Sequence, residues 1–205
     1  MDVQSGRVGL NSAGFSAVHF VNFKATPLAD DYQLAPVPED AAVEQQNNNA
    51  NRTVSTWQVS TAFDQATLKD AYQLDDSHKT GLTWTRLQAE PGGVTNLARI
   101  QGPSPESSTV FARLVISSEK PQTRGLGFGY SDAVQVFVND VLVYQGHNTY
   151  ESRDYRYLGT IGLFDKVYLP LKRGDNEIWF AVSEAFGGWG ILAHMDESEG
   201  ITIKQ

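Results

Sequence analysis

The chain contains no cysteine. Disulfides, thiolate metal sites and a cysteine nucleophile are therefore excluded, while the compartment stays open. Positive charge is also scarce. Sixteen Lys and Arg face twenty-four Asp and Glu, for a formal net charge of -8. Such a field repels phosphate backbones, so no nucleic acid is expected as a partner. No apolar run approaches the ~18 to 20 residues of a membrane span. The opening "MDVQSGRVGLNSAGF" has neither a basic n-region nor an apolar h-region, so it does not read as a signal peptide. A cytoplasmic chain is one expectation; a segment of a longer secreted or periplasmic protein is the other.

Catalytic signatures are missing as well. There is no G-x-S-x-G elbow, P-loop or dinucleotide fingerprint. "GLGFGY" at 125–130 has the glycines but leads into a strand, with no helix to hold a phosphate. The four histidines, His19, His78, His147 and His194, follow no metal-binding spacing. Helical periodicity is almost absent.

What the chain does have is β-structure. At 205 residues it fits one large domain, or one domain plus an appendage, able to bury roughly 70% of its unfolded surface. Eighteen glycines, ten phenylalanines, eight tyrosines and four tryptophans favour strands and turns. Residues 1–26 hold two short strand-like runs, "RVGL" and "AVHFVNFKA", too few to stand alone. Residues 27–53 are rich in Pro, Asn, Gln and acids, and read as an extended linker. Residues 54–205 carry the main domain.

In that domain "TVFARLVISS" places Val110, Ala112, Leu114 and Ile116 on one face. "DAVQVFVNDVLVYQG" reads as a hairpin, with Asn139-Asp140 in a tight turn because both residues tolerate positive φ. "KVYLPL", "KRGDN" and "EIWFAVS" read as a second hairpin, "VTNLARI" as a strand, and "LKDAYQL" as a helical turn or an irregular segment. Short strands at intervals of about 10 to 15 residues predict an all-β fold, an antiparallel β-sandwich or jelly roll.

The pair "VQVFVNDVLVYQG" and "VYLPLKRGDNEIWFAVSE" resembles the hairpin motifs of galactose-binding-domain-like sandwiches, the carbohydrate-binding modules and accessory domains of glycosidases. The first motif departs from the family pattern at Asp140, where glycine is usual. The second is intact as Leu171, Lys172, Gly174, Asn176 and Ile178. "GRVGLNSAGFSAVHFVNFKA" resembles the last strands of a concanavalin-A-like or laminin-G-like domain. That implies an upstream lectin-like domain of the same protein; the alternative is that these strands pair with the main sandwich.

The resemblance implies carbohydrate as the partner. No cofactor and no metal site is expected; the alternative is a structural calcium ion, which sandwich modules of this kind often hold, with Asp132, Asp154 and Asp165 as candidate ligands. Sugar recognition needs aromatic faces and paired polar groups. In "AVSEAFGGWGI", Trp189 is either a platform between glycines or an inward cap on the core. Glu184 either accepts ligand hydroxyls or holds backbone N–H groups of the turn that follows it. Tyr130 and Asp132 precede the first hairpin, and Asp132 reads as a ligand contact or a turn residue. The loop at 146–159 gathers His147, Tyr150, Arg153 and Tyr155, and loops that join core strands commonly carry function.

The leading expectation is a non-catalytic carbohydrate-binding or accessory module of a larger protein. A structural or protein-interaction domain is the alternative. A small glycosidase or lyase is the third reading, and it requires two carboxylates facing across a cleft.

Overall fold

The computed structural model describes residues 52–102, 104, 106–149 and 160–204. The strand-like block at 1–26 and the linker to residue 51 lie outside the described residues, as do Tyr150, Asp154 and their neighbours. Eleven described strands are β1 (Thr56–Ser60), β2 (Trp84–Gln88), β3 (Thr95–Asn96), β4 (Thr109–Ser118), β5 (Gln122–Ser131), β6 (Ala133–Val138), β7 (Val141–His147), β8 (Asp165–Leu171), β9 (Gly174–Ser183), β10 (Gly190–Met195) and β11 (Ile201–Lys204). Seven form one sheet in the order β2-β1-β4-β9-β6-β7, with β11 also on β4; four form a second, β3-β10-β5-β8. Every pairing is antiparallel. The fold is an antiparallel β-sandwich.

Alternation builds the core. Val110, Ala112, Leu114 and Ile116 of β4 face inward, as do Val134, Val136 and Val138 of β6 and Ile178, Phe180 and Val182 of β9. Leu126, Phe128 and Tyr130 of β5 and Ile191, Ala193 and Met195 of β10 meet them from the smaller sheet. Trp57 packs edge-on against Phe180, with ring centroids 5.4 Å apart.

The larger sheet is apolar on part of its outer face too. Phe111, Phe137 and Trp179 form a second cluster beneath Leu68 and Leu74. Arg113 lies 4.5 Å from the Trp84 ring centroid and 5.5 Å from that of Trp179. The stretch 61–84 thus lies across the outside of the sheet. Within it, "LKDAYQL" begins at the end of a single 3-10 turn, Gln65–Leu68, and continues irregularly.

The first hairpin forms as its turn residues predict. Asn139 and Asp140 take φ of 48° and 74°, the left-handed pair that matches strand twist. The second does not form. β8 pairs with β5 in the smaller sheet, whereas β9 pairs with β4 and β6 in the larger one. "KRGDN" is a corner between sheets. Gly174 turns it with φ of 90°, and the buried Asn176 holds it. Asn176 Oδ1 accepts the Lys172 N–H at 2.9 Å, and its Nδ2 donates to the carbonyls of Lys172 (2.9 Å), Gly174 (3.0 Å) and Ile116 (3.3 Å).

"VTNLARI" is only partly a strand. Two residues pair with β10 before Asn96 caps a 3-10 turn, Leu97–Arg99. Among the described residues no helix is long and apolar enough to cross a membrane.

Candidate functional site

A groove of about 910 Å³ runs over the outer face of the larger sheet. Register explains it. Outward residues align as His147, Ala133, Ser183 and Thr109 in one row, and as Gln145, Gln135, Ala181 and Phe111 in the next. Ala133, Ala181 and Ser183 are small, so these rows leave space where the Phe137–Trp179 row is filled. The segment from Asp64 to Tyr72 forms the facing wall.

That wall is anchored at both ends. Phe63 exchanges two backbone hydrogen bonds with Thr109, at 2.8 and 3.1 Å. Farther along, the Leu142 N–H donates to the Tyr72 carbonyl (3.0 Å) and the Leu74 N–H to that of Asp140 (2.8 Å). Leu68 and Leu74 are buried beneath it. The Gln135 side chain donates from Nε2 to the Leu68 carbonyl at 3.4 Å, tying floor to wall. Tyr72 stands on the wall 74% exposed. An exposed aromatic beside side-chain amides can pack against a sugar face and bind its hydroxyls.

Of the sequence-predicted residues, His147 lines this groove. Trp189 does not. It is 3% exposed, and its indole N–H donates to the Val182 carbonyl at 3.0 Å. Both ring faces are covered, so the platform expected for Trp189 is replaced by a plug of the core. Tyr130 is likewise a core residue, stacked on Phe128 with centroids 5.9 Å apart. Its hydroxyl lies under Gly146, where an added Cβ would come within 2.5 Å of it. Tyr150, Arg153 and Tyr155 lie outside the described residues.

Asp132 and Glu184 meet at one end of the sandwich, where Asp132 follows its turn-residue reading. It is Asp132 Oδ2 that accepts turn N–H groups, from Ala185 at 2.9 Å and Phe186 at 2.8 Å. The role of turn holder expected of Glu184 therefore belongs to Asp132. Glu184 is 6% exposed, and among the described residues no well-aligned hydrogen bond reaches either of its carboxylate oxygens. Burial, and then the Asp132 charge, push its carboxyl up to about 7, with the Ser131 hydroxyl a weaker opposing influence.

The described calcium candidates are engaged elsewhere. The Asp165 carboxylate accepts the Tyr144 hydroxyl at 2.8 Å, Asp132 holds its turn, and Asp154 is not described. Among the described residues no three His, Asp or Glu side chains converge as a metal site requires.

Sequence signals for the groove existed only in part. Tyr72 sits in "LKDAYQL", which reads as a helical turn or an irregular segment. Gln135 and Gln145 occupy the polar positions of an otherwise apolar hairpin. Nothing local showed that Ala181 and Ser183 would lie beside them.

No protein-family model matches the chain, and no curated protein does. Solved structures do. A family 35 carbohydrate-binding module from an environmental isolate is 18% identical, over 47% of this chain and 72% of that one, with a TM-score of 0.35. A GH2 beta-galacturonidase from Eisenbergiella tayi, bound to galacturonate, is 14% identical over 70% of this chain, with a TM-score of 0.40. This chain spans 24% of that enzyme's length.

Proposed function

We propose that the sandwich is a non-catalytic carbohydrate-binding module, accessory to other domains, with its ligand in the outer-sheet groove. One observation carries this reading: the exposed Tyr72 ring shares a groove with the amides of Gln135 and Gln145. An apolar face for C–H packing and amides for hydroxyl pairs are the two requirements of sugar recognition.

The arrangement of acids supports a binder over a hydrolase. Glycoside hydrolysis uses carboxylates on opposite sides of the scissile bond. The carboxylates lining the groove, Asp64 and Asp70, come from the same wall. Asp64 is engaged in capping, where its Oδ1 accepts the Ala66 N–H at 2.9 Å. The pair at the sandwich end, Asp132 and Glu184, is buried and does not line the groove. The lectin-like sequence block at residues 5–26 supports a place beside other domains.

The test is a glycan array probed with wild type and with Ala133→Trp, which fills the groove floor from the outer face. Loss of wild-type binding in the variant, at unchanged thermal stability, supports the reading. Equal binding by both moves the site elsewhere. No binding by the wild type to any glycan removes the carbohydrate function.

A further inference from the structure

We infer that the groove takes single, uncharged glycan chains, and neither polyanionic glycans nor crystalline polysaccharide faces. The inference rests on the groove being a glycan site, and it adds the class of glycan. The observations behind it are the chemistry of the floor, the charge of the wall and the count of exposed rings.

The floor reads hydroxyls. Gln135 and Gln145 are cross-strand partners with side chains on the same face. Gln135 uses its Nε2 on the Leu68 carbonyl, so its amide oxygen is left to accept. Gln145 is exposed, with donor and acceptor both at hand. Beyond them, the Ser183 and Thr109 hydroxyls bond each other at 2.7 Å. These are neutral groups that match neutral hydroxyls.

The wall disfavours anions. Asp64, Lys69 and Asp70 line it, two carboxylates to one ammonium. Among the described lining residues there is no arginine, the side chain whose planar fork recognises carboxylate and sulfate. The chain as a whole carries -8. A polyuronate or sulfated glycan would meet repulsion with no guanidinium among the described lining residues to offset it.

Shape excludes flat surfaces. A crystalline face is held by several coplanar rings, and among the described residues lining this groove Tyr72 is the one exposed large hydrophobic side chain. Tyr168, 65% exposed, projects outward from β8 of the other sheet, since its neighbours Val167 and Leu169 point into the core. The two rings face away from each other. At about 910 Å³ the groove is near the top of the ~300 to 1,000 Å³ span of small-molecule sites, room for a short run of sugar rings.

The experiment is affinity gel electrophoresis of the full chain in three kinds of assay. One gel set holds soluble neutral polysaccharides: mixed-linkage β-glucan, galactomannan and arabinoxylan. A second holds polygalacturonate, alginate and heparin. The third assay is co-sedimentation with microcrystalline cellulose. The expected result is retardation in at least one neutral gel, none in the charged gels and none on cellulose. Tyr72→Ala, whose thermal midpoint stays at the wild-type value, should weaken the retardation roughly tenfold. Gln145→Ala should weaken it roughly fivefold.

Retardation in the charged gels alone, abolished by Tyr72→Ala, overturns the inferred class and keeps the groove. Sedimentation with cellulose at wild-type strength in Tyr72→Ala overturns the single-chain geometry. Neutral-gel retardation unchanged in both variants overturns the assignment of this class to this groove. Absence of binding in all three assays overturns the inference together with the glycan reading beneath it.

Discussion

Asp132 and Glu184 lie together at the end of the sandwich, yet among the described residues well-aligned hydrogen bonds reach only Asp132 of the two. Its Oδ2 takes the N–H groups of Ala185 and Phe186, at 2.9 and 2.8 Å, while both Glu184 oxygens are buried with no such bond. One carboxylate is tied to the backbone of the turn. The other is pressed toward its neutral form by burial first, and then by the charge of its neighbour.

Glu184 makes stability fall with rising pH. Its carboxyl sits at about 7 in the folded protein against the usual 4.5. The folded state therefore binds this proton more tightly than the unfolded chain. The contribution is fully present below about pH 4.5 and is lost as pH rises through about 7. Glu184→Gln, which mimics the protonated form, should match wild type near pH 4.5 and exceed it at pH 8, by a difference on the order of 2 kcal/mol. Urea midpoints across that range measure it, and parallel curves for the two proteins would refute it.

Asp132→Ala should cost about 2 to 4 kcal/mol, because it strips acceptors from two turn N–H groups at once. Asp132→Asn keeps an oxygen and should cost less. The amides of Ala185 and Phe186 should lose hydrogen-exchange protection in the alanine variant, ahead of amides in β4.

Trp189→Ala should act on stability. The buried indole fills the core end and donates to Val182, so its loss should cost about 3 to 5 kcal/mol. Trp189→Phe retains most of the volume and should bind glycans like wild type. A folded Trp189→Phe that has lost all binding would restore the ring to the ligand site.

Asn176→Ala should lower stability by about 2 to 4 kcal/mol, since one buried side chain satisfies the Lys172 N–H and three carbonyls. Gly174→Ala at φ of 90° should cost about 1 kcal/mol. Thermal unfolding of the two variants gives the ranking, and Asn176 should be the larger effect.

These residues also mark where the sequence was legible. The β4 face and the β6–β7 hairpin could be read because period-two alternation and an Asn-Asp turn are local signals. The β8–β9 corner could not. A strand, a turn and a strand look alike whether the chain folds back in one sheet or crosses to the other. The difference lies in what Asn176 bonds, which is three-dimensional. Trp189 between glycines fits an exposed ring or an inward one, and the Val182 carbonyl decides. Asp132 and Glu184 were both visible as acids near the turn, but which one holds it depends on strand ends 52 residues apart in the chain. The groove was least legible, because it is made by what small residues on separate strands leave empty.

One edge of β4 has a consequence for assembly. β1 pairs there through Val59 and Gln58 opposite Ala112 and Arg113, and β11 through Lys204 to Ile201 opposite Val115 to Ser118. Carried two residues on, the β1 register brings Thr56 level with Val115, beside Lys204. The first and last strands of the sandwich thus meet at one spot, two strands removed from the β6–β7 wing that bears the groove. A short linker from Lys204 to the start of β1 would therefore close the sandwich into a ring, and new ends could be opened in an exposed loop away from the groove.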